Sequence, residues 1–149
     1  MGEIVIRRAT ATDHDGWAGL YAAYAAFYGV EQTPEMRARV WAWIHDPVSE
    51  VEAFVAEQDG RLVGLAHFRP FTRPLSATVA GFLDDLFVDP GARGSAAARR
   101  LLAAVKAEGT RRGWSTIRWL TAEDNYRARA LYDRVGVLGR WRVYDMATD

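Results

Sequence analysis

The chain has 149 residues, half of them hydrophobic, which is enough for one globular domain over residues 1–149. Nineteen acidic side chains balance nineteen basic ones, so we expect neither nucleic acid nor an anionic membrane as a partner. The absence of cysteine excludes disulfides, thiol catalysis and cysteine-bound zinc, and the three scattered histidines show no metal-ligand spacing. Without a long apolar run or a signal-peptide pattern, we expect a soluble cytoplasmic protein.

The first half of the chain predicts a strand, two helices and an antiparallel set of strands. Residues 3–7 alternate in polarity as a strand does, and residues 13–28 carry aromatic side chains at helical spacing. A second helix begins at Thr33 and Pro34. The pair Asp59-Gly60 predicts a tight hairpin between strands at 52–57 and 61–68. A loop at 70–74 and a strand at 77–88 follow; we expect His67 to pack in the sheet.

The stretch from Leu83 to Leu102 predicts an anion-binding turn. A strand ends at Pro90, a run of small residues follows, and a helical pattern then begins. The first amides of a helix have no partner within it, and the helix dipole adds partial positive charge. Arg93 supplies a cation beside them. We interpret this segment as a pyrophosphate cradle; its residues are Arg93, Gly94, Ser95, Ala96, Ala97 and Ala98.

The second half predicts a crossover helix, a parallel strand, another helix and a final strand. The helix at 95–111 ends at Gly113, and its length favours a parallel pairing of the strand at 115–121 with the strand at 77–88. Asn125 is both a credible N-cap for the next helix and a ligand contact. One face of that helix carries Ala128, Leu131, Tyr132 and Val135. Residues 140–146 predict the last strand.

Two of these segments resemble motifs of the GNAT superfamily of acetyl-CoA-dependent N-acetyltransferases. The segment Arg93 to Ala98 resembles motif A, with Ala96 where glycine is usual, and the pattern from Asn125 to Tyr132 resembles motif B. The strand from Leu83 to Val88 is similar to that of diamine acetyltransferases. The resemblance implies a mixed α/β (α+β) fold. Such a fold has a mostly antiparallel sheet, one splayed parallel strand pair and about four flanking helices.

The resemblance also implies acetyl-CoA as the acyl donor and assigns residues to it. Backbone amides of Leu86, Phe87 and Val88 would hold the carbonyl and the pantetheine arm. The cradle would hold the diphosphate, with Asn125 and Tyr132 as further cofactor contacts.

Two side chains are candidate catalysts. An alkyl amine is protonated in the cell, so a base must remove a proton before the nitrogen attacks. We choose Asp84 as this base, acting directly or through a water molecule, because it matches the acidic position of the similar diamine acetyltransferase strand. Strand alternation would turn Asp84 and Asp85 to opposite faces, so that only one of them faces the cleft. Tyr132 is the candidate acid for the departing thiolate. The alternatives without a catalytic role are a solvated or salt-bridged carboxylate for Asp84 and a tyrosine that packs in the core for Tyr132.

The acceptor is expected to be a cationic amine. The substrate-binding candidates are Phe27, Tyr28, Glu31, Asp84, Trp119 and Thr121, which supply negative charge and aromatic cover. Glu123 and Asp124 could add to the negative charge. A polyamine-like or amino-acid-like amine, a protein lysine or an antibiotic all fit. We expect acetyl transfer to a small-molecule primary amine by direct attack in a ternary complex, in a homodimer. The alternatives are a catalytically inactive CoA-binding regulatory protein and a protein-lysine or N-terminal acetyltransferase.

Overall fold

Five strands form one sheet in the order β1-β2-β3-β4-β5 in the computed structural model, which describes residues 2–94 and 96–148. The strands are β1 (Ile4–Arg8), β2 (Glu52–Gln58), β3 (Arg61–Arg73), β4 (Thr78–Val88) and β5 (Ile117–Trp119). The first four strands pair antiparallel, and β5 runs parallel to β4. The prediction of a mixed fold with a mostly antiparallel sheet and one parallel pair is therefore confirmed.

Four α-helices flank this sheet within the described residues. They are α1 (His14–Phe27), α2 (Pro34–His45), α3 (Ala97–Arg112) and α4 (Tyr126–Val135). Thr33 caps α2 by accepting a hydrogen bond from the Met36 amide at 3.2 Å, and Gly113, at φ 76°, ends α3 as predicted. None of these helices combines the length and apolar character that crossing a bilayer requires.

The β2–β3 hairpin is confirmed, but the loop predicted after β3 is wrong. Asp59 and Gly60 adopt the positive φ angles of a tight turn, 52° and 76°. The strand β3 continues to Arg73, with Pro70 paired opposite Gly81 on β4. The last residue of β3 that pairs with β2 is Phe68, so Pro70 lies where β3 has no neighbour on that side and its missing amide costs little.

Each face of the sheet is covered by a helix. On one face α3 buries Leu101 and Val105 in a cluster with Phe68 and Leu83. On the other face α1 buries Trp17 and Leu20 against Leu65 and Phe87. These two apolar layers hold β4 in place between α1 and α3.

The parallel pair separates part of the way along β4, which confirms the expected splay. Pairing with β5 covers only Gly81 to Leu83, whereas β4 continues to Val88. At the same point the register with β3 shifts, because His67 faces Asp85 while Phe68 faces Leu83. Asp84 is therefore the extra residue of a β-bulge. Beyond it, in the described chain, no strand lies beside β4 on the β5 side.

The strand predicted at 140–146 is not formed. Residues 137–148 have no regular structure and every one of them is exposed, including Val137 (98%), Trp141 (88%) and Tyr144 (93%). A strand needs a neighbouring strand for its backbone hydrogen bonds, and in the single chain this segment has none. For the same reason β5 is shorter than the predicted 115–121, because it pairs on one side only.

Candidate active site

A cavity of about 710 Å³ opens where β4 ends, bounded by the N-terminus of α3, the inner face of α4 and the end of α1. This volume lies in the range typical of small-molecule sites. Most of the predicted cofactor contacts line it: Leu86, Phe87, Val88, Arg93, Gly94, Ala96, Ala98, Asn125 and Tyr132. Ala97 is instead fully buried in the core, and Ser95 lies outside the described residues.

The turn before α3 forms one end of the cavity, where small residues and Arg93 lie together. Gly94 has φ 88°, a conformation that favours glycine because it lacks a Cβ atom. Ala96 occupies the N-cap position and its side chain makes no capping hydrogen bond. The small side chains of Gly94, Ala96 and Ala98 leave the backbone within reach of a ligand at the positive end of the helix dipole.

Four arginines surround the same cavity, of which the sequence analysis found only Arg93. The others are Arg99 on α3 and Arg127 and Arg134 on α4. In the part of the chain that the structure describes, none of the four forms an ion pair with an acid; the Arg93 guanidinium lies 5.3 Å from the Phe27 ring centroid. The spacing of seven residues between Arg127 and Arg134 puts both on one helix face, and this signal could have found them.

The backbone of Leu86, Phe87 and Val88 lines the cavity between the turn before α3 and the region around Asn125. These residues pair with β3 on one side, while their other side faces the gap left by β5. Backbone groups at such a gap can pair with an extended ligand that carries amides, much as a strand pairs with its neighbour.

Asn125 connects three elements at the far end of the cavity. Its side-chain amide donates to the Tyr28 hydroxyl at 3.2 Å and to Thr121 Oγ1 at 3.3 Å. It occupies the N-cap position of α4 as predicted, but its side chain makes no capping bond; its Nδ2 group instead makes these two contacts. The end of α1 is thereby tied to the loop between β5 and α4.

Tyr132 projects from α4 into the cavity. Its ring packs edge-on against Trp119, with ring centroids 5.4 Å apart. Burial, and secondarily the nearby Tyr28, raise the pKa of Tyr132 to about 12. The phenol therefore keeps its proton at neutral pH and can act as a hydrogen-bond donor or an acid.

The bulge corrects the expectation that Asp84 and Asp85 face opposite sides of β4. Arg69 Nε donates to Asp84 Oδ2 at 2.9 Å, and its guanidinium covers the Phe82 ring. Asp85 accepts a hydrogen bond from Tyr21 of α1 at 2.9 Å. Because the extra residue interrupts the alternation, both carboxylates lie on the α1 face of the sheet.

The surroundings drive the two carboxyl groups apart in acidity. Burial, together with the charge of Asp85, raises the pKa of Asp84 despite the opposing ion pair with Arg69. Burial alone would also raise the pKa of Asp85, but the hydrogen bonds from His67 and Tyr21 lower it below its ordinary value. The carboxyl group with the raised pKa, Asp84, can therefore take part in proton transfer, and the one with the lowered pKa, Asp85, can stabilise a positive charge.

The remaining substrate candidates lie outside the cavity lining. Thr121 and Trp119 touch it through Asn125 and Tyr132 respectively. Asp84 precedes Leu86, the first lining residue of β4, by two positions. Glu31 is exposed in the loop between α1 and α2, and the structure does not bring it to the site.

The cavity therefore combines a cationic turn, a strand edge without a neighbour and a protonated tyrosine, with two carboxylates just beyond its lining. The model of the acetyltransferase (GNAT) family matches residues 17–137, and the chain belongs to this family. It is therefore an acetyltransferase, a class of enzyme that uses acetyl-CoA.

Individual relatives agree with this assignment. The chain is 30% identical over 132 residues to the uncharacterized N-acetyltransferase YhfO of Bacillus subtilis, covering 88% of this chain and 87% of that protein. It is 25% identical over 134 residues to the D-amino-acid N-acetyltransferase HPA3 of Saccharomyces cerevisiae, covering 89% and 83%. The solved aminoglycoside N-acetyltransferase AAC(6')-Iy in complex with CoA shares the fold, with a TM-score of 0.84, 21% identity and coverage of 99% and 96%.

Proposed function

We propose that this enzyme transfers the acetyl group of acetyl-CoA to the primary amine of a small molecule, by direct attack within a ternary complex. The observation that carries the proposal is the cavity at the splayed end of β4. It combines a cationic, small-residue end at α3 with Tyr132 and leads toward the paired carboxylates of the bulge.

The residues present fit coenzyme A along its length. Arg93 and the backbone that opens α3 would hold the diphosphate, as helix N-termini and guanidinium groups do. The free side of Leu86 to Val88 would pair with the pantetheine amides. Arg99, Arg127 and Arg134 offer charge for the remaining phosphate. Acetyl-CoA supplies the activated thioester.

Asp84 and Tyr132 perform the two proton transfers in this proposal. Asp84 accepts a proton from the ammonium group, directly or through water, and the freed nitrogen forms the new C–N bond as the C–S bond breaks. Tyr132 donates its proton to the departing sulfur, and the second proton that the nitrogen sheds after attack passes through water to the Tyr132 phenolate. The proton held by Asp84 is released to solvent, so both groups regain their starting states. The raised pKa of Asp84 moves the base toward neutral pH, and the pKa of Tyr132, about 12, keeps the acid in its protonated form there.

A small amine is favoured over a protein substrate because aromatic side chains line the cavity at its Asn125 end. Tyr28 lies there, held by the hydrogen bond from Asn125, and Tyr132 packs against Trp119. The yeast relative is named for D-amino acids, which carry a small primary amine. The likeness of β4 to diamine acetyltransferases stays a prediction.

An amine panel tests the proposal, with release of the CoA thiol as the readout. We expect turnover with one class among diamines, D- and L-amino acids and aminoglycosides, and much slower turnover with lysine peptides or peptide N-termini. Asp84→Asn should lower kcat/KM by about 100-fold or more, the usual contribution of a general base. Asp15→Asn, at a fully exposed carboxylate, is the control. Binding of acetyl-CoA without turnover of any amine would favour a regulatory role, and turnover of peptides alone would favour a protein acetyltransferase.

We also propose a homodimer, supported by the exposed C-terminal segment. Six large apolar side chains of this segment are exposed: Val137, Leu138, Trp141, Val143, Tyr144 and Met146. A contiguous exposed apolar segment marks an interaction surface, and β5 offers a free strand edge that can accept it. In the proposed dimer, the segment of one copy pairs with β5 of the other.

Light scattering tests this assembly. The full chain should be a dimer, and a chain that ends at Gly136 should be a monomer that still binds acetyl-CoA. Because the chain has no cysteine, one copy with a cysteine on β5 and another with a cysteine in the segment should form a disulfide between copies. A monomeric full chain, or crosslinks only when both cysteines are in one chain, would contradict the proposal.

A further inference from the structure

A buried hydrogen-bonded relay lies on the α1 face and has no part in the steps described so far. Trp17 is fully buried and its Nε1–H donates to His67 Nε2 at 2.8 Å. An indole N–H only donates, so His67 Nε2 is the acceptor and the ring proton is on Nδ1. Nδ1 then donates to Asp85 Oδ2 at 2.8 Å. Tyr21 donates to the same oxygen, and Tyr24 of the same helix also acts as a hydrogen-bond partner of this carboxylate.

Asp85 has no arginine or lysine partner among the described residues. Arg69, the cation of this region, pairs with Asp84. A largely buried carboxylate without an arginine or lysine partner is costly, and asparagine could accept hydrogen bonds from the same donors without that cost. The relay therefore preserves a negative charge that folding alone does not need.

This charge lies beside the bulge residue. Asp85 is opposite His67 in the β3–β4 ladder, and Asp84 is the residue inserted immediately before that pair. The His67–Asp85 hydrogen bond thus anchors one side of the bulge to β3, and Trp17 anchors His67 to α1. The other side of the bulge is anchored by the ion pair of Asp84 with Arg69.

We propose that Asp85 is a positioning residue, held by His67 and Trp17, that fixes the bulge presenting Asp84 and attracts a cationic acceptor amine with its permanent charge. The inference rests on the proposed function, because it takes Asp84 as the base. It deepens that function by assigning the acceptor class: an alkyl amine, protonated at neutral pH, rather than an uncharged aryl amine.

The charged and titratable groups around Asp84 fix the sign of the expected pH effect. Arg69 of β3 favours its ionised form and Asp85 opposes it; His67 of β3 and Tyr21 of α1 also face it, and Tyr24 of α1 faces Asp85. Removing the charge of Asp85 leaves Arg69 unopposed, so Asp84 should lose its proton at lower pH. The acid limb of the kcat/KM profile, which reports the free enzyme's base, should then move to lower pH.

Asp85→Asn tests the inference against Tyr21→Phe as the matched control. Tyr21→Phe removes one hydrogen bond to the carboxylate and keeps its charge, whereas Asp85→Asn keeps an acceptor oxygen and removes the charge. We expect Asp85→Asn to raise the KM of an alkyl amine about tenfold, to leave acetyl-CoA affinity unchanged and to shift the acid limb to lower pH. Tyr21→Phe should leave the acid limb in place, and Asp85→Glu, which keeps the charge, should give a limb at the wild-type position. An unmoved limb in Asp85→Asn, or an equal shift in Tyr21→Phe, would overturn the inference.

A readout without turnover separates this inference from the proposed function. Carboxyl ¹³C NMR follows the titration of Asp84 in the wild-type protein and in Asp85→Asn. If no amine is acetylated, the proposed function fails, yet a titration of Asp84 that moves to lower pH in the variant still supports the electrostatic link. If the titration is unchanged, the inference fails whatever the activity. Asp85→Ser serves in the same comparison if Asp85→Asn does not fold.

Discussion

Replacing Tyr132 with phenylalanine isolates the proposed acid. The ring packs against Trp119 at 5.4 Å, and phenylalanine keeps that ring while removing only the hydroxyl. Positioned acids contribute about 10²–10⁴-fold to rate. We therefore expect kcat to fall at least about 100-fold, equivalent to about 2.7 kcal/mol of activation free energy.

The pH profile gives the same prediction a second test. Tyr132 acts in its protonated form, and its pKa is raised to about 12, so ionisation removes the active form only at strongly alkaline pH. In the wild-type protein, no loss of kcat below about pH 11 should come from this group. A decline that begins near pH 9 would have to come from another residue or from the substrate.

For Tyr132→Phe, thiol release at saturating substrates measures kcat and calorimetry measures the acetyl-CoA affinity. The affinity should stay within about twofold of the wild-type value because the aromatic lining is kept. Tyr126→Phe, on the same helix but 74% exposed, is the matched control. A Tyr132→Phe enzyme with wild-type kcat would refute the acid role and leave the tyrosine as a packing residue.

Three further predictions concern the cofactor end and acid stability. Arg93→Ala should weaken acetyl-CoA binding about tenfold by calorimetry while Arg118→Ala, over Phe71 and outside the cavity, should not. Gly94→Ala should lower the free energy of unfolding by about 1–2 kcal/mol, because φ 88° disfavours a Cβ atom, and should raise the acetyl-CoA Kd. Equal acetyl-CoA affinities of the variant and the wild-type protein would contradict the close approach of backbone and ligand. Hydrogen bonding to Arg7 lowers the pKa of Asp13 to about 2 from 3.8. The contribution of Asp13 to the free energy of unfolding is therefore complete above pH 3.8 and disappears as the pH falls through 2. Asp13→Asn should abolish this part of the acid dependence, as measured by urea titrations at several pH values.

Features governed by neighbouring residues in the chain could be predicted from the sequence. Thr33 caps α2 and Gly113 ends α3 because one side chain, or its absence, decides the local backbone. Asp59-Gly60 determines its turn in the same way. The anion-binding turn at Gly94 also depends on local residues, since small side chains and a helix start are enough to define it.

Features that depend on which strands pair could not be predicted in this way. The bulge at Asp84 is a shift in register against β3, and strict alternation along β4 contains no sign of it. The extension of β3 through Pro70 depends on where β2 stops pairing. The C-terminal segment has the composition of a strand, but whether it forms one depends on a neighbour that the isolated chain does not provide.

The balanced net charge conceals a separation of charge within the site. Nineteen acids and nineteen bases give a net charge of zero. Yet four arginines surround the cavity at α3 and α4, whereas the two carboxylates of the bulge follow one another on β4. An acyl donor with several phosphates and an acceptor with an ammonium group would be drawn to different ends of this arrangement, so their reacting atoms would meet between them, beside Leu86 and Tyr132. Local charge placement, rather than total charge, therefore determines how the two substrates are oriented.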